Sequence, residues 1–380
     1  MQINISERYT LRFSYMKRVI IGSLLLTISQ WYAFFLFSQF SFIIFNEFIG
    51  LSIFITGFIS RALGSILFGY IGDKISRRTA LLLTGITLII SSLIVLIPSI
   101  FIVFISRILQ GLSLGGEWGG ASTVIIESYS THRLRGTIAS IIQLSVPIAI
   151  ILSSSTLLLI FLYSIPWRES FLIITVLTLI ALPLIKGVNK EKMFSSKIPL
   201  FEAILNDWKN ILKSISIKVS ESAAFYVFSA YIFSLYSNLK ELPIIVLEAI
   251  IFQLFTMPLF GFLSDIIGRR LVVIIGLIIM GVGSYLLSLK IIYYGEIVMS
   301  ISDSALYAPQ SSIFTEIFNK KYRFTAANFS YQLASILGGA LAPLLISDYS
   351  NLFIFIMLSY ITITCIGVYF IEETKGKGIV

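Results

Sequence analysis

The chain is poor in the side chains that bind metals and form disulfides. Its 380 residues include one cysteine, Cys365, and one histidine, His132. A single cysteine excludes an internal disulfide and a cysteine-ligated metal site. The histidine lies beside Arg133 in a polar stretch, so we interpret it as a solvated loop residue rather than a proton relay. We therefore predict neither a metal nor a cofactor.

Charged residues are also scarce. They make up 12% of the chain, about half of the ~25% that is usual in soluble domains, while the hydrophobic share is 57% and the mean hydropathy is +0.95. This composition excludes a soluble protein. A helix needs about 20 apolar residues to cross a bilayer, and the chain has about twelve segments of this kind. They cover 19–44, 49–71, 79–98, 100–127, 137–161, 169–186, 217–237, 243–264, 271–289, 291–315, 325–346 and 351–371. The alternating pattern of a membrane β-barrel is absent, so we predict an all-α membrane protein with twelve transmembrane helices.

The net charge of +9 has the sign that nucleic-acid-binding proteins carry. Most of the 28 Lys and Arg residues, however, lie in the terminal segments and in the loops that follow the even-numbered spans. This asymmetry follows the positive-inside rule. It predicts that both termini are cytoplasmic and that the partner is the lipid bilayer, here the plasma membrane of a prokaryotic cell, and not nucleic acid.

Two loops of the chain carry the same short motif. Residues 69–78 read G-Y-I-G-D-K-I-S-R-R and residues 261–270 read G-F-L-S-D-I-I-G-R-R, each between two apolar segments. The duplicated G-x-x-x-D-x-x-[GS]-R-R resembles the loops between helices 2 and 3 and helices 8 and 9 of the major facilitator superfamily. The resemblance implies two pseudo-symmetric six-helix bundles, at 1–186 and 217–380, joined by a cytoplasmic linker at 187–216. Parallel repeats of this kind bind substrate near the middle of the membrane.

A second stretch narrows the resemblance. Residues 107–121 read R-I-L-Q-G-L-S-L-G-G-E-W-G-G-A, which closely resembles the R-x-x-Q-G-x-x-x-G-G-E-x-x-G-A signature of the metabolite:proton symporters. That family includes importers of shikimate, 2-oxoglutarate, citrate and proline or betaine. The resemblance implies a monomeric secondary transporter that imports a small organic acid or zwitterionic metabolite with protons, by alternating access. The sequence has no P-loop and no nucleophile–base pair, so we do not expect an enzyme.

One departure from the family bears on proton coupling. Residues 30–34 read Q-W-Y-A-F where the family usually has E-W-[YF]-D-F, so Gln30 and Ala33 replace two acids. Neither residue can carry a proton. A uniporter or an exporter on the same fold therefore stays an alternative, as does a metabolite sensor that does not transport.

Polar residues inside the predicted spans are candidates for the substrate and proton pathway. A charge in the hydrocarbon core costs about 2.5–3.5 kcal/mol even on lenient scales, so it normally faces a cavity or a partner. Two arginines in helices 2 and 4 suit a carboxylate, because a guanidinium offers a planar fork of donors. An ion pair that holds these helices together explains the same residues equally well. The candidate set is Tyr32, Arg61, Arg107, Gln110, Glu117 and Asp303.

Charged residues at the ends of the spans recur between the two halves. The first half has Asp73, Arg77, Arg78, Glu127 and Arg135, and the second half has Asp265, Arg269, Arg270, Glu316 and Arg323. The family resemblance implies a cytoplasmic gate in which these pairs form when that side closes and break when it opens. The alternative is that positive charge there only fixes the orientation in the membrane.

The fourth span is rich in glycine. Gly111 and Gly115, like Gly116 and Gly120, are four residues apart. Small residues at this spacing let two helix backbones approach closely. We predict that these glycines pack helices rather than contact substrate.

Overall fold

The computed structural model describes residues 5–129, 132–186, 198–236, 239 and 241–376. All regular secondary structure in these ranges is helical. The helices of the first half are α1 (Ile5–Ile44), α2 (Glu47–Lys74), α3 (Arg77–Ile94), α4 (Ile100–Ser128), α5 (Arg135–Gln143), α6 (Ser145–Tyr163) and α7 (Phe171–Lys186). Those of the second half are α8 (Pro199–Tyr226), α9 (Ile232–Leu235), α10 (Leu242–Ile267), α11 (Arg269–Ser288), α12 (Ile292–Tyr307), α13 (Gln310–Ile317), α14 (Arg323–Ala334), α15 (Leu341–Asp348) and α16 (Phe353–Phe370).

Ten helical segments of the described chain are long and apolar enough to cross a membrane. The two other predicted spans, 217–237 and 291–315, are helical but interrupted. A π-helical turn at Val227–Tyr231 separates α8 from α9, and Pro309 follows the end of α12 before α13 begins. Proline cannot donate to the helix ladder, which explains the second break. The prediction of an all-α protein with twelve spans is confirmed.

The chain forms two compact units, and each unit includes one segment from the other half of the sequence. Unit 1 comprises the described residues of Met1–Tyr129, Ile148–Leu200 and Lys320–Asn328, and unit 2 those of Ser130–Pro147, Phe201–Asn319 and Phe329–Val380. Helix α5 therefore belongs to unit 2, and the start of α14 belongs to unit 1. The division into 1–186, 187–216 and 217–380 stays a prediction.

The predicted linker is partly helical. Residues 187–197 lie outside the described residues, and α8 begins at Pro199. Its backbone leaves helical geometry at Asp207, with φ −138° and ψ 19°. The first part of α8, before this break, has Phe201 and Leu205 exposed and Ala203 buried. The same helix continues into the predicted seventh span.

Helices α2 and α4 of unit 1 pack backbone to backbone. A Cβ atom on Gly115 would lie 2.0 Å from the carbonyl oxygen of Arg61, and one on Gly64 would lie 2.0 Å from that of Leu112. Only glycine permits so close an approach. The predicted packing function of the helix 4 glycines is confirmed, and the contact brings Arg61 on α2 next to the polar face of α4.

Helices α11 and α12 of unit 2 are also closely packed. A Cβ on Gly276 would lie 2.9 Å from the side chain of Leu306, and one on Gly283 would lie 2.9 Å from Met299. The Ser302 hydroxyl donates to the Gly276 carbonyl at 2.9 Å. This packing fixes the face of α12 that carries Asp303.

Candidate functional site

The six predicted pathway residues are all buried, but they do not all belong to the same unit. Unit 2 contains Asp303. Unit 1 contains Tyr32, Arg61, Arg107, Gln110 and Glu117.

Arg107 on α4 binds protein groups of two neighbouring helices. Its Nη1 donates to Oε1 of Gln110 at 2.7 Å, and its Nε donates to the carbonyl of Ile53 at 3.3 Å. The guanidinium lies 4.6 Å from the ring centroid of Phe34 and donates to Ser38 Oγ at 3.3 Å. Because these partners come from α1, α2 and α4, Arg107 ties three helices together in the core of unit 1.

Arg61 on α2 lies among aromatic rings. Its guanidinium carbon is 5.0 Å from the ring centroid of Trp31, 4.9 Å from that of Phe34 and 5.4 Å from that of Phe58. The negative faces of these rings attract a cation and offset part of the cost of burying it. The Arg61 guanidinium is therefore surrounded by the rings of α1 and α2.

Glu117 on α4 is fully buried. Its Oε1 accepts a hydrogen bond from the Thr27 hydroxyl at 2.5 Å, and its Oε2 has no partner among the described residues. The described part of the chain gives Glu117 no ion pair, so the proposed Arg–Glu pair between helices 2 and 4 is not observed. A buried carboxyl with one neutral donor is poorly stabilised as an anion.

Two uncharged residues of α1 join it to other helices. The Tyr32 hydroxyl lies 2.7 Å from Thr156 Oγ1 on α6. The Gln30 amide donates to Ser113 Oγ on α4 at 2.6 Å, while its Oε1 has no partner in the part that the structure describes. The amide that replaces the usual acid therefore makes a neutral contact to α4.

Four charged residues of unit 1, which we call the unit 1 charge cluster, lie together: Asp73, Arg77, Glu127 and Arg323. Arg77 Nη1 is 2.5 Å from Asp73 Oδ1, and Arg77 and Arg323 lie 3.1 Å and 2.8 Å from Glu127 Oε1. The Asp73 carboxylate also accepts the backbone N–H groups of Phe324 at 3.1 Å and Thr325 at 2.7 Å. These N–H groups are otherwise unsatisfied in the first turn of α14, so Asp73 caps that helix.

The unit 2 charge cluster repeats this geometry with Asp265, Arg269, Glu316 and Arg135. Arg269 Nη1 is 2.7 Å from Asp265 Oδ1, and Arg135 Nε is 2.6 Å from Glu316 Oε1. Asp265 accepts the backbone N–H groups of Gly136 at 3.0 Å and Thr137 at 2.7 Å, which caps α5. The recurrence predicted from the sequence is therefore a matched pair of helix caps.

Two predicted gate residues are placed differently. Arg78 is half-buried in the first turn of α3, and the backbone N–H of Arg270 donates to Glu373 Oε2 at 3.1 Å. Burial alone raises the pKa of Glu373. The backbone donors of Lys375, Arg269 and Arg270, together with the charge of Arg269, outweigh burial and hold the pKa below its ordinary value. Glu373 thus ties the chain after α16 to the start of α11.

Asp303 on α12 lies in unit 2 together with other buried polar side chains, and of these the sequence analysis named only Asp303. Its Oδ2 accepts from the Gln253 amide at 2.8 Å, and its Oδ1 has no partner among the described residues. Lys218 forms an ion pair with Glu221 on the same helix and lies 4.0 Å from the ring centroid of Tyr331. The i,i+3 spacing of Lys218 and Glu221 is a sequence signal that could have identified this pair.

Thr27, Asn328 and Glu296 are further residues that sequence reasoning missed. Asn328 on α14 accepts the backbone N–H of Gly119 at 2.9 Å. Glu296 is fully buried, and neither of its carboxyl oxygens has a partner within the described ranges. The i,i+7 spacing of Glu296 and Asp303 on α12 could have drawn attention to it.

The chain matches the Major Facilitator Superfamily family model over residues 13–248 and 242–379. It is 27% identical over 386 residues to the shikimate transporter of Escherichia coli (strain K12), which covers 88% of each chain. It is 24% identical over 378 residues to the glycine betaine/proline/ectoine/pipecolic acid transporter of Dickeya dadantii (strain 3937), covering 86% of this chain and 75% of the relative. These matches confirm the resemblance predicted from the sequence motifs.

Solved structures show the same fold. The proton:xylose symporter bound to 6-bromo-6-deoxy-D-glucose superposes with a TM-score of 0.73 at 17% identity, covering 98% of each chain. The human organic anion transporter MFSD10 superposes with a TM-score of 0.67 at 14% identity, covering 93% of this chain and 99% of the other. Both the family and the fold are those of transporters rather than enzymes. The chain is therefore a multi-pass plasma-membrane transporter that belongs to the major facilitator superfamily.

Proposed function

We propose that the protein imports a small carboxylate-bearing metabolite, an organic acid or a zwitterion, together with protons. The similar transporters named for shikimate and for glycine betaine and proline support this substrate class. The structural observation that carries the proposal is the charge balance inside unit 1. Away from the unit 1 charge cluster, the buried charged side chains in the described part of unit 1 are two guanidinium groups, of Arg61 and Arg107, and one carboxyl, of Glu117.

An excess of buried positive charge suits an anionic ligand. Arg107 already donates to Gln110 and to backbone carbonyls, so its first function is to fix α4 against α1 and α2. Arg61 adds a second positive charge to the same core. Its guanidinium lies against the rings of Trp31 and Phe34. A carboxylate gains from both charges, because charges interact more strongly in a medium of low dielectric constant.

Glu117 is the proton carrier in this proposal. Its single partner is the neutral hydroxyl of Thr27, and its second oxygen lacks a donor among the described residues. The group is therefore stable when protonated, and it becomes a buried anion with one neutral donor when it releases the proton. Gln30 and Ala33 cannot replace it, since neither side chain titrates.

The two charge clusters are the proposed cytoplasmic gate. Each cluster caps a helix that the other half of the sequence supplies: Asp73 caps α14, and Asp265 caps α5. Breaking such a cap frees the helix end without unfolding the helix. The caps therefore bias one of two conformations, which alternating access requires.

A thermal-shift screen of the purified protein tests the substrate class. The panel contains shikimate, 2-oxoglutarate, proline, glycine betaine and xylose as a neutral sugar. A ligand at 100 times its Kd stabilises the folded state by about 2.7 kcal/mol, so binding appears as a higher Tm. We expect a carboxylate to give the largest shift. A panel in which xylose gives the largest shift contradicts the proposal.

Arg107→Lys refines this test. A lysine offers one point charge in place of a planar fork, so ligand binding should weaken at least tenfold. Arg133→Lys is the matched control, because Arg133 is exposed in the loop before α5. Equal ligand affinity for both variants contradicts a role of Arg107 in the carboxylate site.

A uniporter is the second candidate function, and Gln30 in place of the usual acid favours it. Its amide makes a neutral contact to Ser113. Uptake of the identified ligand into proteoliposomes at equal rates with and without a pH gradient would favour the uniporter.

A further inference from the structure

Glu296 is an acid that the proposed function does not yet use. It lies near the start of α12, is fully buried, and has no partner on either carboxyl oxygen in the part that the structure describes. An ionised carboxylate is not stable in such a position without a donor or a cation, whereas a protonated carboxyl is tolerated. The position therefore favours a carboxyl group that holds a proton.

Asp303 lies on the same face of the same helix. Seven residues along an α-helix return to within about 20° of the starting direction and advance about 10 Å, so Glu296 and Asp303 lie in line two turns apart. The Oδ2 atom of Asp303 accepts from Gln253, but its Oδ1 atom has no donor among the described residues. Gln253 Oε1 also lacks a partner there. Both oxygens can accept a hydrogen bond that the described residues do not supply.

The cation that acts on Asp303, Lys218, is already part of an ion pair. Lys218 pairs with Glu221, and its ammonium lies 5.0 Å from the ring centroid of Tyr307, one turn after Asp303 on α12. The Asp303 carboxyl interacts electrostatically with the charges of both Glu221 and Lys218. Asp303 and Glu221 therefore share one ammonium group, and burial without a charged partner among the described residues is what distinguishes Glu296.

Within the described ranges, helices α11 and α14 do not supply another cation to this group. The cationic side chains of α11 are Arg269 and Arg270 at its start, and Arg269 belongs to the unit 2 charge cluster. On α14 the cationic residue is Arg323, which belongs to the unit 1 charge cluster. Among the described residues of unit 2, further titratable groups that face α12 are the half-buried Glu248 on α10, Tyr331 on α14 and Tyr236 after α9.

We propose that Glu296, Asp303 and the Lys218–Glu221 pair form a second proton site in unit 2, in addition to Glu117. The inference rests on the proton-coupled transport proposed above. A proton from water adds to a carboxylate oxygen of Asp303 or Glu296, forms an O–H bond, and leaves as that bond breaks when the site opens to the other side. The alternative is that the site binds Na⁺. Lys218 disfavours Na⁺ binding, because its ammonium already binds the Glu221 oxygen that a metal ion would need.

Carbodiimide labelling tests the site without a known substrate. The hydrophobic reagent N,N′-dicyclohexylcarbodiimide reacts with protonated carboxyl groups, and peptide mass spectrometry identifies the labelled residues. We expect labelling of Glu296 or Asp303 at pH 7 at least fivefold above that of the ion-paired Asp265 and Glu316. Label on Glu117 alone overturns this inference and leaves the proposed function standing.

Uptake into proteoliposomes supplies a second readout. Asp303→Asn and Glu296→Gln should each lower accumulation driven by an imposed pH gradient at least tenfold, while ligand binding in the thermal-shift assay persists. Glu241→Gln is the control, because Glu241 is exposed at the start of α10. Accumulation by both variants at the parent level overturns the inference, as does uptake that needs Na⁺ rather than a pH gradient. A parent protein that ignores the pH gradient contradicts the proposed function itself. If a variant does not fold, the labelling of the parent protein still decides the inference.

Discussion

Asp73→Asn should loosen the first turn of α14 without unfolding the protein. The carboxylate accepts two backbone N–H groups, from Phe324 at 3.1 Å and Thr325 at 2.7 Å, and pairs with Arg77 at 2.5 Å. Asparagine retains one acceptor oxygen, but its NH₂ group faces the second donor. Arg77 keeps its contact to Glu127, so the unit 1 charge cluster survives in part.

The magnitude follows from these contacts. A hydrogen bond to a charged group contributes about 1.5–3 kcal/mol, against about 0.5–1.5 kcal/mol for a neutral one. Losing one charged hydrogen bond and weakening another should cost about 2 kcal/mol, which is roughly a 30-fold increase in the population of the uncapped form. Turnover should slow, because the cap biases the conformational equilibrium on which transport depends.

Hydrogen–deuterium exchange measures this effect directly. Amide exchange at Phe324 and Thr325 reports local opening of the helix end, so it should accelerate by about 30-fold in Asp73→Asn. Asp265→Asn should instead accelerate exchange at Gly136 and Thr137. Arg78→Gln, in the first turn of α3, is the control. Unchanged exchange at Phe324 and Thr325 in Asp73→Asn refutes the assignment of Asp73 as a cap.

Two further predictions concern stability. Gly115→Ala places a Cβ atom 2.0 Å from the carbonyl oxygen of Arg61. It should therefore destabilise the protein by about 1–3 kcal/mol, which is measured as a lower Tm. A Tm at or above that of the parent protein contradicts the close α2–α4 contact. The folded-state pKa of Glu373 lies below its ordinary value, so its stabilising contribution is present above about pH 4.3 and is lost as the pH falls through the folded-state pKa. Glu373→Gln should therefore lower the Tm at pH 7 by about 1–2 °C, a small effect because the group is half-exposed. The Tm difference between variant and parent should shrink below pH 4. A Tm difference that grows in acid contradicts this account.

The sequence predicted the helical architecture because apolar runs of span length are unmistakable in a chain with few charges. The two interrupted spans were harder to read. Pro309 marks the break after α12 in the sequence, but the π-helical turn at Val227–Tyr231 depends on packing and has no local signature. The exchange of α5 and the start of α14 between the compact units also depends on contacts between distant residues.

The charge clusters were predictable in membership but not in form. A duplicated motif identified Asp73 and Asp265. That each carboxylate caps a helix more than a hundred residues away could not be read from spacing, because Asp73 and Thr325 are brought together only by the folded chain. Arg107 shows the same limit: its donors go to backbone carbonyls, which every residue type carries.

Glu296 was missed for a different reason. It follows a run of tyrosines at the start of a span, where an acid is expected to face the aqueous interface. The structure buries it completely, and burial at a span end depends on the packing of the neighbouring helices.

Gradient-driven uptake by Glu117→Gln and by the parent protein tests the central claim most directly. Proteoliposomes are loaded at pH 7.5, diluted into buffer at pH 6, and supplied with the radiolabelled carboxylate that the thermal-shift screen identifies. The account predicts that the parent protein accumulates this substrate only when the outside is acidic and that Glu117→Gln equilibrates it without responding to the gradient. Parent uptake that ignores the gradient, or Glu117→Gln uptake that responds as strongly as the parent, contradicts it.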